Sequence, residues 1–329
     1  MKKCLVEYNK GTNEAMHTNK IPLIIVSGPT ASGKTGLGIK LSQIFSGEVI
    51  SADSMQIYKN MPIATAQPDS EEMDGIPHHL MGFIESGNDF SVADYTSLAH
   101  KKIEEIYSRG KMPIIVGGTG LYINSLVDNI NFLELDSEEV RQKLIKELDE
   151  YGIDYMYEKL KSLDIEAAKK IEKNNTRRVI RALEVCITTG KTFSQINKES
   201  KPDESRYNVL WFNITFNNRQ NLYERINKRV EIMAQNGIIE EAKKMRQIIS
   251  NFGAGQAIGH KELYPYLDGE ITLSEALDNL KTKTRQYAKR QITWFKKRND
   301  TISLVSDSED ILEKAQNIIK DWMCENERQ

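Results

Sequence analysis

Apolar runs of strand length alternate with helical patterns over the first 130 residues of the chain. The runs lie at 23–26, 48–53 and 112–116. Between them, over residues 37–44 and 91–109, apolar side chains recur every three or four positions, which is the period of an amphipathic helix. Strands that alternate with helices in this way predict a parallel, doubly wound sheet.

A different pattern fills the middle of the chain, where helical periodicity is continuous and no strand pattern occurs. Its helices are predicted at 137–151, 154–161, 165–173 and 176–188. Strand character returns at 207–216 and 301–305, with helices predicted at 222–249 and 310–323. We therefore predict a discontinuous core of residues 21–134 and 206–329, with an all-helical insertion at 135–205. Residues 1–20 are polar and aperiodic, which predicts a flexible N-terminal extension.

A glycine-rich motif, G-x-x-x-x-G-K-[ST], separates the first predicted strand from the first predicted helix. Backbone N–H groups in such a loop, together with the N-terminus of the following helix, point towards a bound anion. Its residues are Gly28, Pro29, Thr30, Ala31, Ser32, Gly33, Lys34 and Thr35. Lys34 adds a positive charge and Thr35 offers a hydroxyl to Mg²⁺. We predict an α/β fold with a P-loop NTPase-like parallel sheet flanked by helices, and a site for a di- or triphosphate.

Two further polar side chains follow strands of the same predicted sheet. Asp53 ends the second strand, and Thr119 lies in a G-G-T-G turn after the third. Because ligands bind beyond the carboxyl ends of parallel strands, we expect both residues and the P-loop to line one cleft. Three roles are open for Asp53 on this evidence: a ribose contact, a Mg²⁺ ligand through water, or a general base. For Thr119 the alternative is a tight turn without function.

Composition limits the classes of function. The net charge of −2 means that a nucleic-acid site must be a local basic patch. Cys4, Cys186 and Cys324 are far apart, which predicts free thiols and a cytoplasmic location. No apolar run approaches the roughly 18 residues of a membrane span. His78 and His79 are adjacent, so their side chains diverge and a structural role is favoured over a shared metal.

Two basic patches break the even distribution of charge. The first, at 169–191, holds seven basic and two acidic residues; Arg177, Arg178 and Arg181 lie on one side of its helix, opposite Val179 and Ile180. The second, at 281–298, holds eight basic residues and no acid. In the second, Tyr287, Arg290, Gln291 and Trp294 share a helix face. Basic residues interleaved with aromatics favour an RNA partner; a solvated surface is the alternative for either patch alone.

Taken together, the motifs resemble those of the tRNA dimethylallyltransferases, also called tRNA isopentenyltransferases. The matching stretches are the P-loop, S-A-D-S-M-Q-I-Y at 51–58, P-H-H-L at 77–80, G-G-T-G-L-Y at 117–122, R-R-V-I-R-A-L-E-V at 177–185 and A-K-R-Q-I-T-W-F at 288–295. They follow the family's order over residues 21–295. Two departures occur: A-T-A-Q-P stands at 64–68 in place of G-T-A-K-P, and His260 replaces a usual Tyr.

The resemblance implies a reaction and a set of roles. A dimethylallyl group moves from dimethylallyl diphosphate to the exocyclic N6 amine of the adenosine 3′-adjacent to the anticodon in tRNA, giving N6-isopentenyladenosine and diphosphate. Asp53 would be the general base, and Thr119 would contact the diphosphate near the bond that breaks. The P-loop and Arg229 would hold the diphosphate, with Mg²⁺ on Thr35. Arg225, one turn from Arg229, is a weaker candidate for closing over it. The implied tRNA contacts are Asp53, Ser54, Met55, Gln56, Thr119, Arg141, Arg177, Arg178, Val179, Ile180, Arg181, Arg290 and Gln291. We expect a monomer.

Three other functions are compatible with parts of the pattern. A small-molecule kinase would use the same loop but would not need two basic, aromatic-containing patches. An adenylate isopentenyltransferase would act on free nucleotides, whereas we expect free AMP to be a poor acceptor. A non-enzymatic RNA-binding module would leave the P-loop and Asp53 unexplained.

Overall fold

The computed structural model describes residues 20–133, 137–200, 205–248 and 253–326. They divide into two compact units, one formed by residues before 128 and after 205, the other by residues 128–205. The helical unit thus begins at residue 128, seven positions before the start that the sequence pattern predicts. The predicted extension at 1–20 lies outside the described residues except for Lys20.

Six parallel strands form the sheet of the first unit, in the order β3-β2-β4-β1-β5-β6. They are β1 (Ile21–Ser27), β2 (Gly47–Ser51), β3 (His78–His79), β4 (Met112–Gly117), β5 (Tyr207–Thr215) and β6 (Ile302–Val305). Helices flank this sheet, and the predicted α/β class with a parallel sheet is confirmed.

The helices follow in chain order, and four of them, α4 to α7, belong to the second unit. They are α1 (Lys34–Ile44), α2 (Val92–Ser108), α3 (Gly120–Val127), α4 (Glu138–Leu163), α5 (Ile165–Lys170), α6 (Thr176–Thr189), α7 (Phe193–Glu199), α8 (Arg219–Gln235), α9 (Ile238–Arg246), α10 (Tyr264–Leu267), α11 (Leu273–Phe295) and α12 (Ile311–Asn326). Among the described helices, none is both long enough and apolar enough to cross a membrane.

The central strand β1 is buried on both faces, which explains its continuous apolar run. Leu23 and Ile25 belong to the core that α2 and α3 cover. Ile24 and Val26 belong to the core under α1 and α12. Because side chains alternate along a strand, one short run contributes to both layers. Since the strands are parallel, the loops that follow them all begin at one edge of the sheet, the carboxyl edge.

The edge strand β3 was not predicted, because residues 60–90 have the composition of loops. His79 Nε2 lies 2.7 Å from Glu48 Oε2 in the neighbouring strand, and Arg109 Nη2 donates to the same oxygen at 2.7 Å. His78 Nδ1 lies 2.8 Å from the carbonyl oxygen of Ile76. The two histidines therefore have separate partners, and the described residues contain no group of three or more metal-ligating side chains.

Two glycines with positive φ divide or kink the helices. Gly237 has a φ of 94° and divides the predicted helix 222–249 into α8 and α9. Gly152 has a φ of 76° and kinks α4, so the predicted helices 137–151 and 154–161 are its two halves. A positive φ favours glycine, which has no Cβ to clash with the backbone.

The second unit has its own core, formed by α4, α5 and α6. Leu144, Met156, Leu160 and Leu183 are buried within it. Val179 and Ile180 are buried in the same cluster, as their position opposite the arginines predicts. Their side chains are thus part of the helical core, and their assignment as tRNA contacts stays a prediction.

Candidate active site

The P-loop connects β1 to α1 at the carboxyl edge of the sheet. Gly33 precedes α1 with a φ of 85°, a conformation that an L side chain would strain. No described side chain caps the first turn of α1, so its N–H groups and the positive end of the helix dipole remain available to an anion. The Ser32 hydroxyl is buried without a partner among the described residues. These features fit a phosphate group.

Lys34 supplies the positive charge of the loop. Its ammonium donates to the carbonyl oxygen of Pro29 at 3.3 Å. Burial lowers the pKa of Lys34 to about 8; the Asp53 carboxylate opposes this shift and the Arg229 guanidinium adds to it. The amine therefore carries its proton at neutral pH, and a bound anion would hold that proton more firmly.

Two arginines one turn apart on α8 contact the loop in different ways. Arg229 Nη1 donates to Thr30 Oγ1 at 3.1 Å, and burial lowers its pKa. Arg225 Nη1 donates to Ser306 Oγ at 2.6 Å, and that hydroxyl donates to the carbonyl oxygen of Ser32 at 2.7 Å. Arg229 thus lines the cleft, whereas Arg225 braces the loop through Ser306.

Asp53 and Thr119 lie in loops that follow β2 and β4. The Asp53 carboxylate accepts from the N–H of Met55 at 3.0 Å. Thr119 Oγ1 accepts from the N–H of Ser54 at 2.9 Å, and the Thr119 N–H donates to the carbonyl oxygen of Ala52 at 3.0 Å. The neighbouring strands thus bring both residues to the edge that carries the P-loop.

Two cavities open at this edge, and they share the lining residues Asp53, Thr30 and Arg229. The larger, of about 650 Å³, contains the P-loop with Lys34 and Thr35. The smaller, of about 290 Å³, has an apolar part and a polar part. Its apolar wall includes Val230, Met233, Ile258 and Leu280, and its polar wall includes Ser54, Thr284, Tyr287 and Arg290.

Oxygen atoms suited to Mg²⁺ line the larger cavity. They come from Thr35, Asp53, Gln56, Asp69 and Glu72. Mg²⁺ commonly takes one or two protein carboxylates and completes its shell with substrate phosphates and water. Because the described residues bring no three such acidic, histidine or cysteine side chains together, the lining fits a metal that takes one or two protein oxygens and arrives with a diphosphate.

The predicted RNA-contacting residues of the first unit differ in exposure. Ser54 and Met55 line the smaller cavity, and Arg290 is exposed beside it. Gln56 Nε2 instead donates to the carbonyl oxygens of Thr65 and Ala66 at 3.2 and 3.1 Å, which holds that loop in the cavity wall. Gln56 also lines the larger cavity.

Gln291 does not occupy the position expected of a tRNA contact. It is only 5% exposed, and its amide accepts from the N–H of Thr30 at 2.8 Å and donates to the carbonyl oxygen of Gly118 at 2.9 Å. Both ends of the side chain are used inside the protein, and its assignment to tRNA stays a prediction.

In the second unit, four predicted RNA-contacting arginines lie on α4 and α6. Arg177 and Arg178 are exposed. Arg181 Nη1 lies 3.1 Å and Arg141 Nη1 3.8 Å from one oxygen of Glu184. The Glu184 carboxylate is buried and also accepts from Ser137 Oγ at 2.5 Å. A buried acid thus forms ion pairs with two of the four arginines, which the sequence did not indicate.

The sequence also missed a second buried acid, which lies behind Ala64 in the wall of the smaller cavity. Glu241 accepts from the N–H groups of Ile63 and Ala64, both at 2.9 Å, and lies 2.7 Å from His260 Nε2. His260 is 2% exposed, so its departure from the usual Tyr concerns internal packing. The unusual residue at position 260 was the available signal, but it did not identify Glu241 as the partner.

Comparison with known proteins places these features in a family. Residues 56–298 match the family model described as IPP transferase. The chain is 49% identical over 280 residues to the tRNA dimethylallyltransferase of Caldanaerobacter subterraneus subsp. tengcongensis, covering 84% of this chain and 89% of that protein. It is 48% identical over 283 residues to that of Bacillus subtilis strain 168, covering 85% and 90%.

Solved structures agree with these sequence matches. The full-length tRNA isopentenylpyrophosphate transferase of Bacillus halodurans superposes with a TM-score of 0.71 at 41% identity, covering 94% of this chain and 99% of that one. A eukaryotic dimethylallyltransferase, described as acting on tRNA, superposes with a TM-score of 0.79 at 29% identity, covering 92% and 80%.

Proposed function

The chain belongs to the IPP transferase family, and we propose that it transfers a dimethylallyl group from dimethylallyl diphosphate to the N6 amine of the adenosine 3′-adjacent to the anticodon in tRNA. The products are N6-isopentenyladenosine and diphosphate. One observation carries the proposal: Asp53 lines both the cavity that contains the P-loop and a smaller cavity with an apolar wall. A carboxylate in that position can accept a proton from a nucleophile that attacks the carbon next to the departing diphosphate.

The diphosphate is the leaving group, and the P-loop supports its departure. Negative charge grows on the bridging oxygen as its bond to the allylic carbon breaks. Lys34, Arg229 and the N–H groups of α1 would hold that charge in a fixed geometry. Mg²⁺ on the Thr35 hydroxyl, when bound with the substrate, would neutralise phosphate charge and orient the leaving group.

The acceptor amine forms its bond to the allylic carbon and loses one proton. Asp53 would take that proton as general base. Thr119, held against the Ser54 N–H, would contact the diphosphate near the bond that breaks. The apolar wall of Val230, Met233 and Leu280 suits a five-carbon chain and would exclude water, which could otherwise capture the dimethylallyl group.

The acceptor must leave its base stack to reach this cavity. Met55 and Arg290 line the smaller cavity and suit contacts with an extruded purine and its backbone. The exposed arginines of α6 suit the phosphates of a folded RNA. We extend the proposal to a monomeric enzyme that acts in the cytoplasm on the tRNA anticodon stem-loop.

Nucleoside analysis tests the proposal directly. The purified protein is incubated with Mg²⁺, labelled dimethylallyl diphosphate and unmodified tRNA, and the tRNA is digested to nucleosides. We expect labelled N6-isopentenyladenosine from tRNA and from an anticodon stem-loop, and little product from free AMP. Equal turnover of AMP would favour an adenylate isopentenyltransferase, and phosphoryl transfer from ATP without prenylation would favour a kinase.

A further inference from the structure

Helix α11 holds together two loops of the active site through a single side chain. Gln291 Oε1 accepts from the N–H of Thr30 in the P-loop, and Gln291 Nε2 donates to the carbonyl oxygen of Gly118, the neighbour of Thr119. Both hydrogen bonds have ordinary lengths, 2.8 and 2.9 Å, and the amide is almost fully buried. The side chain therefore spans the gap between the loop for the diphosphate and the loop for Thr119.

Helix α11 packs directly against two glycines of the G-G-T-G turn, Gly118 and Gly120. A Cβ on Gly118 would lie 2.2 Å from Gln291 Nε2, and a Cβ on Gly120 would lie 2.2 Å from Trp294 Cδ1. Neither distance is possible between non-bonded atoms. The G-G-T-G turn and the A-K-R-Q-I-T-W-F segment, which are far apart in the sequence, thus pack against each other. This contact requires glycine at both positions, because a larger side chain would overlap with α11.

A third residue of the same helix face reaches the reacting region. The Tyr287 hydroxyl interacts with the side chains of both Thr119 and Gln291. Burial and the nearby Asp53 carboxylate raise the pKa of Tyr287, so the hydroxyl keeps its proton at neutral pH. Tyr287 and Gln291 therefore contact the Thr119 loop from one rigid element.

We propose that Gln291 is a positioning residue that sets the spacing between the diphosphate loop and Thr119. Its amide acts through Thr30 and Gly118. The inference rests on the proposed function, since it assigns Gln291 to the chemical step of that reaction. An RNA contact and a positioning residue differ in what they change: the first alters tRNA affinity, and the second alters diphosphate affinity and the rate on bound tRNA.

A double-mutant cycle between Gln291 and Gly118 tests the proposal. Gln291→Ala removes both hydrogen bonds, and Gly118→Ala displaces the amide. We expect each to lower the single-turnover rate on saturating tRNA by about 10²-fold, a loss typical of small misplacements in active sites. The double variant should lose about the same 10²-fold, because both changes disrupt one interaction. A combined loss near 10⁴-fold would show two independent effects and overturn the proposal.

Binding measurements separate this proposal from an RNA-contacting role. Gln291→Ala should weaken binding of inorganic diphosphate about tenfold by calorimetry, while the Kd for tRNA and its salt dependence stay at the wild-type values. Weaker tRNA binding with an unchanged rate at saturation would overturn it. Diphosphate affinity needs no turnover, so the result stands even if the wild-type protein transfers no dimethylallyl group, which would instead refute the proposed function.

Two further variants guard against a loss of folding. Gln291→Glu keeps the shape and the acceptor for Thr30 but places a carboxylate against the carbonyl oxygen of Gly118, so we expect a rate loss with a native circular dichroism spectrum. A wild-type rate in this variant would contradict the proposal. Gln286→Ala, which changes an exposed glutamine of the same helix, should match wild type in every assay.

Discussion

At the scale of single residues, the proposed mechanism depends first on Asp53, which lines both cavities. Asp53→Ala should lower the single-turnover rate by about 10²–10⁴-fold, the usual contribution of a general base. Binding of tRNA should persist, because the variant removes a negative charge and leaves the basic surfaces intact. Rapid-quench kinetics on prebound tRNA measure the rate, with Asp321→Ala, an exposed aspartate of α12, as the control that removes the same charge away from both cavities. Wild-type turnover in Asp53→Ala would exclude the role.

The charge of Lys34 predicts a pH dependence of diphosphate binding. Its pKa of about 8 lies below the ordinary value of 10.5 because the amine is buried. Since the anion binds the protonated amine, affinity for inorganic diphosphate should be highest below pH 8 and fall as the pH rises to 9.5. Calorimetry measures this affinity for wild type and for Lys34→Arg over the same pH range. Diphosphate ionises equally in both titrations, whereas arginine keeps its charge, so the difference between the two reports the titration of Lys34. An equal decline in the arginine variant would show that Lys34 is not responsible.

The lowered pKa of Lys34 also affects the stability of the protein, which should rise with pH where diphosphate affinity falls. Between pH 8 and 10.5 the unfolded chain keeps a proton on Lys34 that the folded protein has released. Stability rises with pH wherever the unfolded state binds more protons. The cost of burying the Lys34 charge is therefore fully present below pH 8 and is relieved above it. At neutral pH the buried Lys34 therefore lowers the stability of the folded protein, and it places a positive charge in the P-loop.

At the scale of elements, α9 holds the loop that forms one wall of the smaller cavity. Glu241→Gln should destabilise the protein by about 1–3 kcal/mol, because the N–H groups of Ile63 and Ala64 donate to different carboxylate oxygens and the amide nitrogen that replaces one oxygen cannot accept. Urea denaturation measures the change. Glu240→Gln, at an exposed neighbouring position, should stay within about 0.5 kcal/mol of wild type. Equal stability of the two variants would refute the contribution of Glu241.

Helix α11 is the element that connects the separate motifs of the active site. It contributes an exposed arginine to the smaller cavity and three residues, Tyr287, Gln291 and Trp294, to the loop interface. A rigid helix transmits position better than a loop, because its backbone hydrogen bonds fix the relative directions of its side chains. The diphosphate loop and the Thr119 loop therefore share one support.

At the scale of the whole molecule, the basic residues predict how the protein binds RNA. Arg177→Ala with Arg178→Ala should weaken tRNA binding and reduce the slope of log K against log salt by about 0.7–0.9 for each phosphate that the variant no longer neutralises. Both side chains are exposed on the second unit, so folding should not suffer. Fluorescence titrations over a series of salt concentrations measure the slope.

The control for this experiment removes the same charge elsewhere. Lys314→Ala with Lys320→Ala takes two positive charges from α12, where both lysines are exposed. We expect a slope close to that of wild type. If the two double variants change the slope equally, the effect is one of net charge, and the α6 arginines are a solvated surface.

Local patterns in the sequence determined the core of the fold and the chemical groups at the sheet edge. The apolar run of β1, the glycines of the P-loop and the polar residues after β2 and β4 each depend on neighbours within a few positions. Hydrophobic periodicity and backbone freedom act over that distance, so these features can be inferred without coordinates. The parallel sheet and the common location of Lys34, Asp53 and Thr119 follow from them.

Only the tertiary structure decided which side chains hold these groups in place. Gln291 and Thr30 are 261 positions apart, and Glu241 and Ile63 are 178 apart. A polar residue on a helix has the same local pattern whether it faces RNA or a buried amide, so the sequence did not show that Gln291 contacts Thr30 and Gly118. Packing of distant elements removes water from one side of a helix, and the need of every buried polar group for a partner then sets its role.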